Sequence, residues 1–299
     1  MKWVDALTLL LLSALWGGSF LFMRIAAPVL GPVWLIELRL LLTAALLLPL
    51  AVKVGLRSQI SEHWRSLLLV GGLGSAAPFF LIAFASVSLP AGFTSILNAT
   101  TPLFGSVVAA VWLKERLAPI QFVGLCLGFV GVAIMVGLKA TISPTFLTAS
   151  GAGLLASLLY AIASPYAAKV LSGVRPLAIA TGSQLGAAVW LLPALPFTVP
   201  TQSPSRIVIA SVLGLAVLST ALAYILFFRL LQSIGPTRVL TVTYLIPLFA
   251  IAWSALLLGE KIALSTVGGG CLVLLSVAIA NGLFAKPMSQ FKSRWLRLR

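Results

Sequence analysis

Apolar residues run through the chain from end to end, in stretches of about 20 residues that are separated by short breaks rich in Gly, Pro or charge. A helix rises about 1.5 Å per residue, so each stretch can cross a hydrocarbon core of roughly 30 Å. Strands of a barrel would instead show about ten residues of alternating polarity. The pattern predicts ten helical spans, at 5–26, 33–52, 65–87, 91–112, 119–137, 150–169, 176–197, 207–230, 236–257 and 263–284.

The two halves of the chain share one sequence pattern. Residues 102–137 align without a gap with residues 247–282, 145 positions later, with 14 identities in 36 positions. Shared Leu and Ala would give scattered matches, but here a Pro, a Glu, a Cys and two Gly fall in one register. Ser19 and Arg24 also align with Ser164 and Lys169 at the same offset. We therefore predict two five-helix repeats, residues 1–144 and 145–285, followed by a basic cytoplasmic tail, 286–299.

Five spans per repeat is an odd number, so the second repeat enters the membrane from the side opposite to the first. This predicts inverted repeats about a pseudo-two-fold axis in the membrane plane, an arrangement common in secondary transporters. With the N-terminus inside, 15 Lys and Arg residues lie on the cytoplasmic side and four on the outer side. By the positive-inside rule, both termini are expected in the cytoplasm. The expected location is the inner cell membrane.

Composition supports the membrane prediction and removes other classes. Hydrophobic residues make up 61%, charged residues 8%, and the mean hydropathy is +1.14; soluble domains carry about 25% charged residues. The net charge of +15 is explained by the positive-inside bias and by attraction to anionic lipid, so we expect contact with membrane lipid and no nucleic-acid partner. The single His63, and two cysteines within spans 5 and 10, leave no metal-ligand set, so neither an enzyme nor a cofactor is expected.

Several motifs resemble those of the EamA-type ten-helix permeases of the drug/metabolite transporter superfamily. They are Trp16-Gly17-Gly18-Ser19-Phe20 with Arg24, Arg39 with Ala44, and then Pro102, Glu115, Gln121, Gly124 and Gly131, echoed by Pro247, Glu260 and Gly269. The resemblance covers the whole chain and is closest to amino-acid and metabolite exporters, including the aromatic amino-acid branch. It implies a central cavity lined by spans 3, 4, 8 and 9 with help from 1 and 6, while spans 5 and 10 pack at the side.

A substrate site in the membrane needs broken helices, small residues and a few polar groups. On this basis the predicted substrate-binding residues are Trp16, Ser19, Ser75, Phe79, Asn98, Thr101, Tyr160, Ser164, Tyr224, Thr243 and Tyr244, and the predicted kinks or gates are Pro78, Pro102, Pro165 and Pro247. The aromatic members suit an apolar or aromatic side chain, or a cation. Simpler explanations stand beside these: a membrane proline is often a tolerated kink, and hydroxyls often bond their own helix.

Charged residues within the spans are few. Glu37 and Arg39 lie two positions apart in span 2 and so point to different sides of the helix. Each is either functional, as intramembrane charges often are, or located near the outer interface or bound to a neighbouring helix. Glu115 and Glu260 are expected to pair with neighbours such as Arg116 and Lys261. No chain of deep carboxylates is evident, which favours a facilitator over a proton-coupled carrier.

Small residues in spans 5 and 10 indicate close helix packing. Gly124, Gly128 and Gly131 lie in span 5 and Gly268 to Gly270 in span 10, so the two spans are expected to pack on each other or on a second copy in a homodimer. Cys126 and Cys271 are interpreted as small packing residues. The predicted function is export of small metabolites, foremost amino acids, by alternating access. The alternatives are export of drugs or of lipid- or nucleotide-linked metabolites, a proton-coupled antiporter, and a membrane scaffold or sensor.

Overall fold

The computed structural model describes residues 3–112, 114, 119–137, 143–235, 239 and 241–280, and these residues form helices joined by short turns. The long helices number ten in these ranges: α1 (3–30), α2 (32–53), α3 (Trp64–Ser88), α4 (Ala91–Val111), α5 (Pro119–Gly137), α6 (Pro144–Val170), α7 (Pro176–Phe197), α8 (Arg206–Ile234), α9 (Val242–Leu258) and α10 (Leu264–Ala280). All are apolar, α9 and α10 being the shorter ones. The prediction of an all-helical, multi-pass membrane protein is confirmed.

Helices α1 and α2 are separated only by Gly31. Without a break, the 51 residues from Trp3 to Lys53 would form a helix of about 77 Å, far longer than a bilayer is thick. Gly31 has φ 73° and ψ 154°, a conformation that glycine adopts without steric cost. Pro32 then occupies the first turn of α2, where its missing N–H is not needed. The predicted break at Gly31-Pro32 is confirmed, and it divides the run into two spans.

Helix α6 begins six residues earlier than the predicted span, at Pro144 rather than residue 150. The Ser143 hydroxyl accepts a hydrogen bond from the Phe146 amide at 3.1 Å and so caps the helix. Pro144 follows in the first turn, so the sequence does contain a helix-start signal ahead of the apolar run. The expected tail 286–299 and the expected Glu115–Arg116 pairing lie outside the described residues. The repeat boundary after residue 144 stays a prediction.

The same irregularity occurs in both repeats. Helix α3 contains a π-helical turn at Gly72–Ala76, and α8 contains one at Gly214–Leu222. Shifted by the repeat offset of 145, the first turn corresponds to residues 217–221, inside the second. A π-helical turn widens the helix and changes the direction of the side chains around it, and such turns are frequent at functional sites. Ser75 and Thr220 occupy equivalent positions within these turns.

Helices α5 and α10 pack directly on each other, as one of the two alternatives predicted. A Cβ atom on Gly131 would lie 2.7 Å from the carbonyl oxygen of Gly269, and a Cβ on Gly269 would lie 2.5 Å from that of Gly131. Cys126 and Cys271 are both exposed, so they do not pack in the contact between α5 and α10 of one chain, and packing against a second copy stays a prediction. Cys126 lies two positions from Gly124 and therefore on another side of α5. A homodimer stays a prediction.

Candidate functional site

A central cavity of about 700 Å³ lies between the two repeats. Among the described residues its walls come from α1, α2, α3, α4, α6, α8 and α9, with Gln121 contributing from the start of α5. This agrees with the wall implied by the family resemblance, to which the structure adds α2 through Arg39. The predicted site residues that line the cavity are Trp16, Ser19, Phe79, Asn98, Thr101, Tyr160, Ser164, Tyr224 and Thr243, together with Pro102, Pro165 and Arg39.

The remaining predicted site residues lie outside the cavity wall, and these are Ser75, Tyr244, Pro78, Pro247 and Glu37. Tyr244 faces α10, where its hydroxyl donates to the carbonyl oxygen of Val277 at 3.1 Å. Ser75 is buried and accepts a hydrogen bond from Gln184. The position of a residue around the helix axis determines whether it lines the cavity. Tyr244 is one position from the lining Thr243 and so points about 100° away from it.

The cavity reaches one end of the helix bundle. On α4 the lining residues extend from Ser95 to Ala109, about 20 Å along the helix axis, and Gln121 lines it at the start of α5. Four crossings separate α4's last residue from the N-terminus, so this end lies on the N-terminal side of the membrane. Toward the opposite end the lining side chains, among them Met23 and Ile82, are buried.

An ion pair joins several helices at that opposite end. The Arg24 Nε atom lies 3.0 Å from Glu260 Oε1, and the Ala91 amide donates to Glu260 Oε2, also at 3.0 Å. The expected pairing of Glu260 with Lys261 is therefore wrong. Adjacent residues in a chain diverge, whereas the fold brings Arg24 of α1 to the loop after α9. This contact ties the repeats together on the side where the cavity is closed.

Several hydroxyls of the cavity wall offer acceptor oxygens. The hydroxyls of Ser19, Thr101 and Ser164 donate to carbonyl oxygens of their own helices, at 2.6, 2.7 and 2.9 Å. The expected self-bonding is thus present, and it leaves the oxygen lone pairs available as acceptors. Asn98 ends the first half of α4, just before a break at residues 99–100. Its Oδ1 atom is buried and has no hydrogen-bond partner among the described residues.

Arg39 is the single charged side chain among the described residues of the cavity wall. It is only 4% exposed, its Nε donates to the Thr220 hydroxyl at 2.9 Å, and its guanidinium carbon lies 3.8 Å from the centre of the Phe79 ring. Glu37 is 1% exposed, and neither carboxylate oxygen has a hydrogen-bond partner in the described part of the chain. The two charges therefore point to different sides of α2, as predicted, and both are buried.

Gln184 of α7 repeats the position of Arg39 at the offset of 145. Its Nε2 donates to the Ser75 hydroxyl at 3.2 Å and to the Tyr224 hydroxyl at 3.4 Å. At the same offset, Ser75 corresponds to Thr220 and Phe79 to Tyr224. In each repeat, the residue at this position (Arg39 or Gln184) donates a hydrogen bond to the π-helical turn of the other repeat. It also contacts an aromatic residue of its own repeat. Gln184 is not among the predicted site residues, although the repeat offset applied to Arg39 identifies it.

Comparison with known proteins agrees with this architecture. The model of the EamA-like transporter family matches residues 4–137 and again residues 147–282. A probable amino-acid metabolite efflux pump of Salmonella typhimurium is 27% identical over 297 residues, covering 92% of this chain and 94% of that protein. A probable terminal-alkyne amino-acid exporter of Streptantibioticus cattleyicolor is 25% identical, with 89% of each chain covered.

Two further matches extend over almost the whole length. An uncharacterized transporter of Archaeoglobus fulgidus is 24% identical and covers 93% of this chain and 98% of that protein. A solved crystal structure has a TM-score of 0.66 at 18% identity, covering 95% and 98% of the two chains, which shows a shared fold. Since the family model matches both five-helix halves that enclose the cavity, this chain belongs to the EamA-like transporter family and is a multi-pass membrane transporter.

Proposed function

We propose that the protein exports small metabolites, foremost amino acids with apolar or aromatic side chains, across the inner membrane. The observation that carries this proposal is the central cavity, which is enclosed by both repeats, reaches one side of the membrane and is closed toward the other. Its volume of about 700 Å³ is in the usual range for small-molecule sites. Relatives described as an amino-acid metabolite efflux pump and an amino-acid exporter support this substrate class.

The wall is suited to a molecule with one apolar and one polar end. Aromatic side chains form one part of it, with the Trp16 and Phe227 rings 5.5 Å apart and Tyr160 next to Phe79. Such rings contribute apolar surface in a fixed orientation. The hydroxyls of Ser19 and Thr101 supply acceptors on another part, to which the side chain of Asn98 also belongs. An apolar side chain would lie against the rings, and the polar head against the acceptors.

Export by alternating access follows from the proposed topology. With both termini in the cytoplasm, the end at which the cavity opens is cytoplasmic, and the Arg24–Glu260 contact closes the outer end. Inverted repeats can exchange conformations, so that the closed end opens while the open end closes. Substrate would thus enter from the cytoplasm and leave on the other side when the Arg24–Glu260 contact breaks.

We further propose a facilitator, in which the substrate gradient alone drives transport. No carboxylate lines the cavity among its described residues, and Glu37 lies behind the wall on the other side of α2. A proton-coupled carrier needs a titrating group that contacts both the substrate pathway and water. The absence of such a group among the described lining residues supports uniport over proton antiport.

The proposal is tested with purified protein in liposomes. Uptake of a panel of labelled amino acids, from glycine to tryptophan and glutamate, is measured with an outward gradient of unlabelled substrate, with and without a pH gradient. Saturable uptake of the apolar and aromatic members, unchanged when the pH gradient is collapsed, is expected. Protein-free liposomes are the control. No uptake of any member by protein that is monodisperse in detergent would refute the amino-acid proposal, and uptake that needs the pH gradient would refute the facilitator.

A further inference from the structure

We propose that Arg39 binds the carboxylate of the transported molecule, so that the cavity selects carboxylates over their uncharged or cationic analogues. This rests on the proposed function in taking the cavity as the transport site. Within the described ranges, the side-chain partners of Arg39 are the Thr220 hydroxyl and the Phe79 ring, and both are neutral. A buried cation in a membrane protein is costly without a counter-charge. The described wall contains no counter-charge, which makes the substrate the natural source of one.

The guanidinium has free donors where a substrate would lie. Of the five N–H donors of an arginine, only the one on Nε has an acceptor among the described residues. The four N–H groups on the two Nη atoms therefore remain for a ligand. Arg39 lines the cavity, so these groups belong to its wall. A planar guanidinium binds the two oxygens of a carboxylate in parallel, a geometry that neutral analogues cannot match.

The orientation of Arg39 is set by contacts within the protein. Thr220 holds the Nε edge at 2.9 Å, and the Phe79 ring covers one face of the guanidinium at 3.8 Å. A donor group that is held in place loses little side-chain freedom when ligand binds, which favours affinity. Phe79 in turn has the Tyr160 ring at its edge, with a centroid distance of 6.3 Å. This arrangement leaves the Nη side as the part that a carboxylate would contact.

The second repeat shows that the contacts made by Arg39 do not require its positive charge. Gln184 makes the equivalent two contacts, to Ser75 and Tyr224, with a neutral amide. A neutral side chain is therefore sufficient to link a helix to the opposite π-helical turn. The positive charge at residue 39 must serve something that the link does not need. Residue 184 carries no charge, so the positive charge of Arg39 lies on one side of the cavity only. A bound substrate would therefore be oriented with its carboxylate toward α2.

The rest of the wall fits the other end of an amino acid. The hydroxyl oxygens of Ser19, Thr101 and Ser164, which line the cavity, keep free lone pairs. These acceptors suit an ammonium group. Together with the cation on α2 they recognise a zwitterion, whereas a drug with only a positive charge would be repelled by Arg39. The proposal thus separates amino acids from cationic toxic compounds.

The test compares matched compounds as competitors of labelled phenylalanine uptake in liposomes. At about pH 6, where both compounds carry an ammonium group, phenylalanine and phenylalaninamide differ only in that a carboxylate is replaced by a carboxamide. The wild type is expected to prefer the carboxylate by about tenfold or more, the usual difference for a hydrogen bond to a charged group. Arg39→Gln should bring this ratio close to one. Gln184→Met, the matched control, removes the equivalent link in the other repeat and should leave the ratio unchanged.

Two further measurements test the carboxylate site, one with Thr220→Val and one by thermal stabilisation. If Arg39→Gln does not fold, Thr220→Val keeps the cation but releases its orientation, and it should lower the ratio several-fold. If no amino acid is transported, thermal stabilisation of the purified protein by 3-phenylpropionate and by its amide is compared. Stabilisation by the acid alone, lost in Arg39→Gln, would support the carboxylate site even though the amino-acid proposal had failed. An equal response to acid and amide, or an unchanged ratio in both Arg39→Gln and Thr220→Val, overturns the inference.

Discussion

Arg24 and Glu260 are 236 residues apart in the chain, yet their side chains form a hydrogen-bonded ion pair at 3.0 Å. The pair connects α1 of the first repeat to the loop that follows α9 in the second. Arg24 also donates through Nη1 to the carbonyl oxygens of Ser86 and Val87 at the end of α3, and Glu260 accepts from the Ala91 amide at the start of α4. Four elements therefore meet at the closed end of the cavity.

Removing the charge of Glu260 should open this end. In Glu260→Gln the ion pair is lost, so the conformation in which the end is closed loses stability relative to the opposite one. The pair is partly exposed to solvent, so we expect a moderate shift of about threefold to tenfold. The measurement is labelling of a cysteine at Ser95, in a background without Cys126 and Cys271, by an impermeant maleimide applied from the side opposite the termini.

Lys261→Gln provides the control for this experiment, because Lys261 lies in the same loop as Glu260. Its charge has no ion-pair partner among the described residues. Its labelling rate should equal that of the parent. Equal rates in Glu260→Gln and Lys261→Gln would contradict the role of the ion pair in closing the outer end.

Filling the cavity should stop transport without unfolding the protein. Gly105 lines the cavity, and a Cβ atom added there would have no atom within 4 Å. A phenylalanine at this position would extend into the space that the substrate needs. We expect Gly105→Phe to lower the transport rate at least about tenfold, since overlap with the substrate in a packed site is costly. Gly151, also without a neighbour within 4 Å but exposed, is the matched position. Normal transport in Gly105→Phe, as in Gly151→Phe, would exclude this cavity as the pathway.

The contact between α5 and α10 should be sensitive to a methyl group added at Gly269. In Gly269→Ala the new methyl group would lie 2.5 Å from the Gly131 carbonyl oxygen, so the helices must separate. Overpacking of this kind costs about 1–3 kcal/mol. The adjacent Gly268→Ala adds the same methyl group where nothing lies within 4 Å. Melting in detergent, followed by size-exclusion chromatography after heating, should show a lower midpoint for Gly269→Ala alone. A lower midpoint for both would point to a general effect of the methyl group.

Asn98 and Tyr244 should separate into a binding and a packing residue. Asn98→Ala removes a polar side chain from the cavity wall, so KM should rise about fivefold. The buried Oδ1 atom that is lost has no partner among the described residues, so the melting midpoint should not fall. Tyr244→Phe removes the hydroxyl that donates to Val277, so stability should fall by about 1 kcal/mol while KM is unchanged. Uptake kinetics and melting of both variants test this. The reverse result would place the substrate at Tyr244 and away from Asn98.

Much of the fold could be predicted from the sequence because its signals are local. The ten spans, the break at Gly31-Pro32 and the five-helix repeats follow from apolar run length, from helix-breaking residues and from an alignment of the chain with itself. Most predicted site residues also line the cavity, since polar and aromatic side chains in a membrane span tend to face the protein interior. The sequence by itself therefore determined the fold class, the helices and most of the cavity wall.

Only the tertiary structure decided which groups meet. The pairing of Arg24 with Glu260, the link from Arg39 to Thr220 and the place of Tyr244 against α10 each depend on helix rotation and on contacts between distant parts of the chain. A change of one position along a helix turns a side chain by about 100°, which is enough to move it from the cavity to a packing surface. The π-helical turns in α3 and α8 further change the direction of the side chains that follow them. The length of an apolar run does not predict such turns.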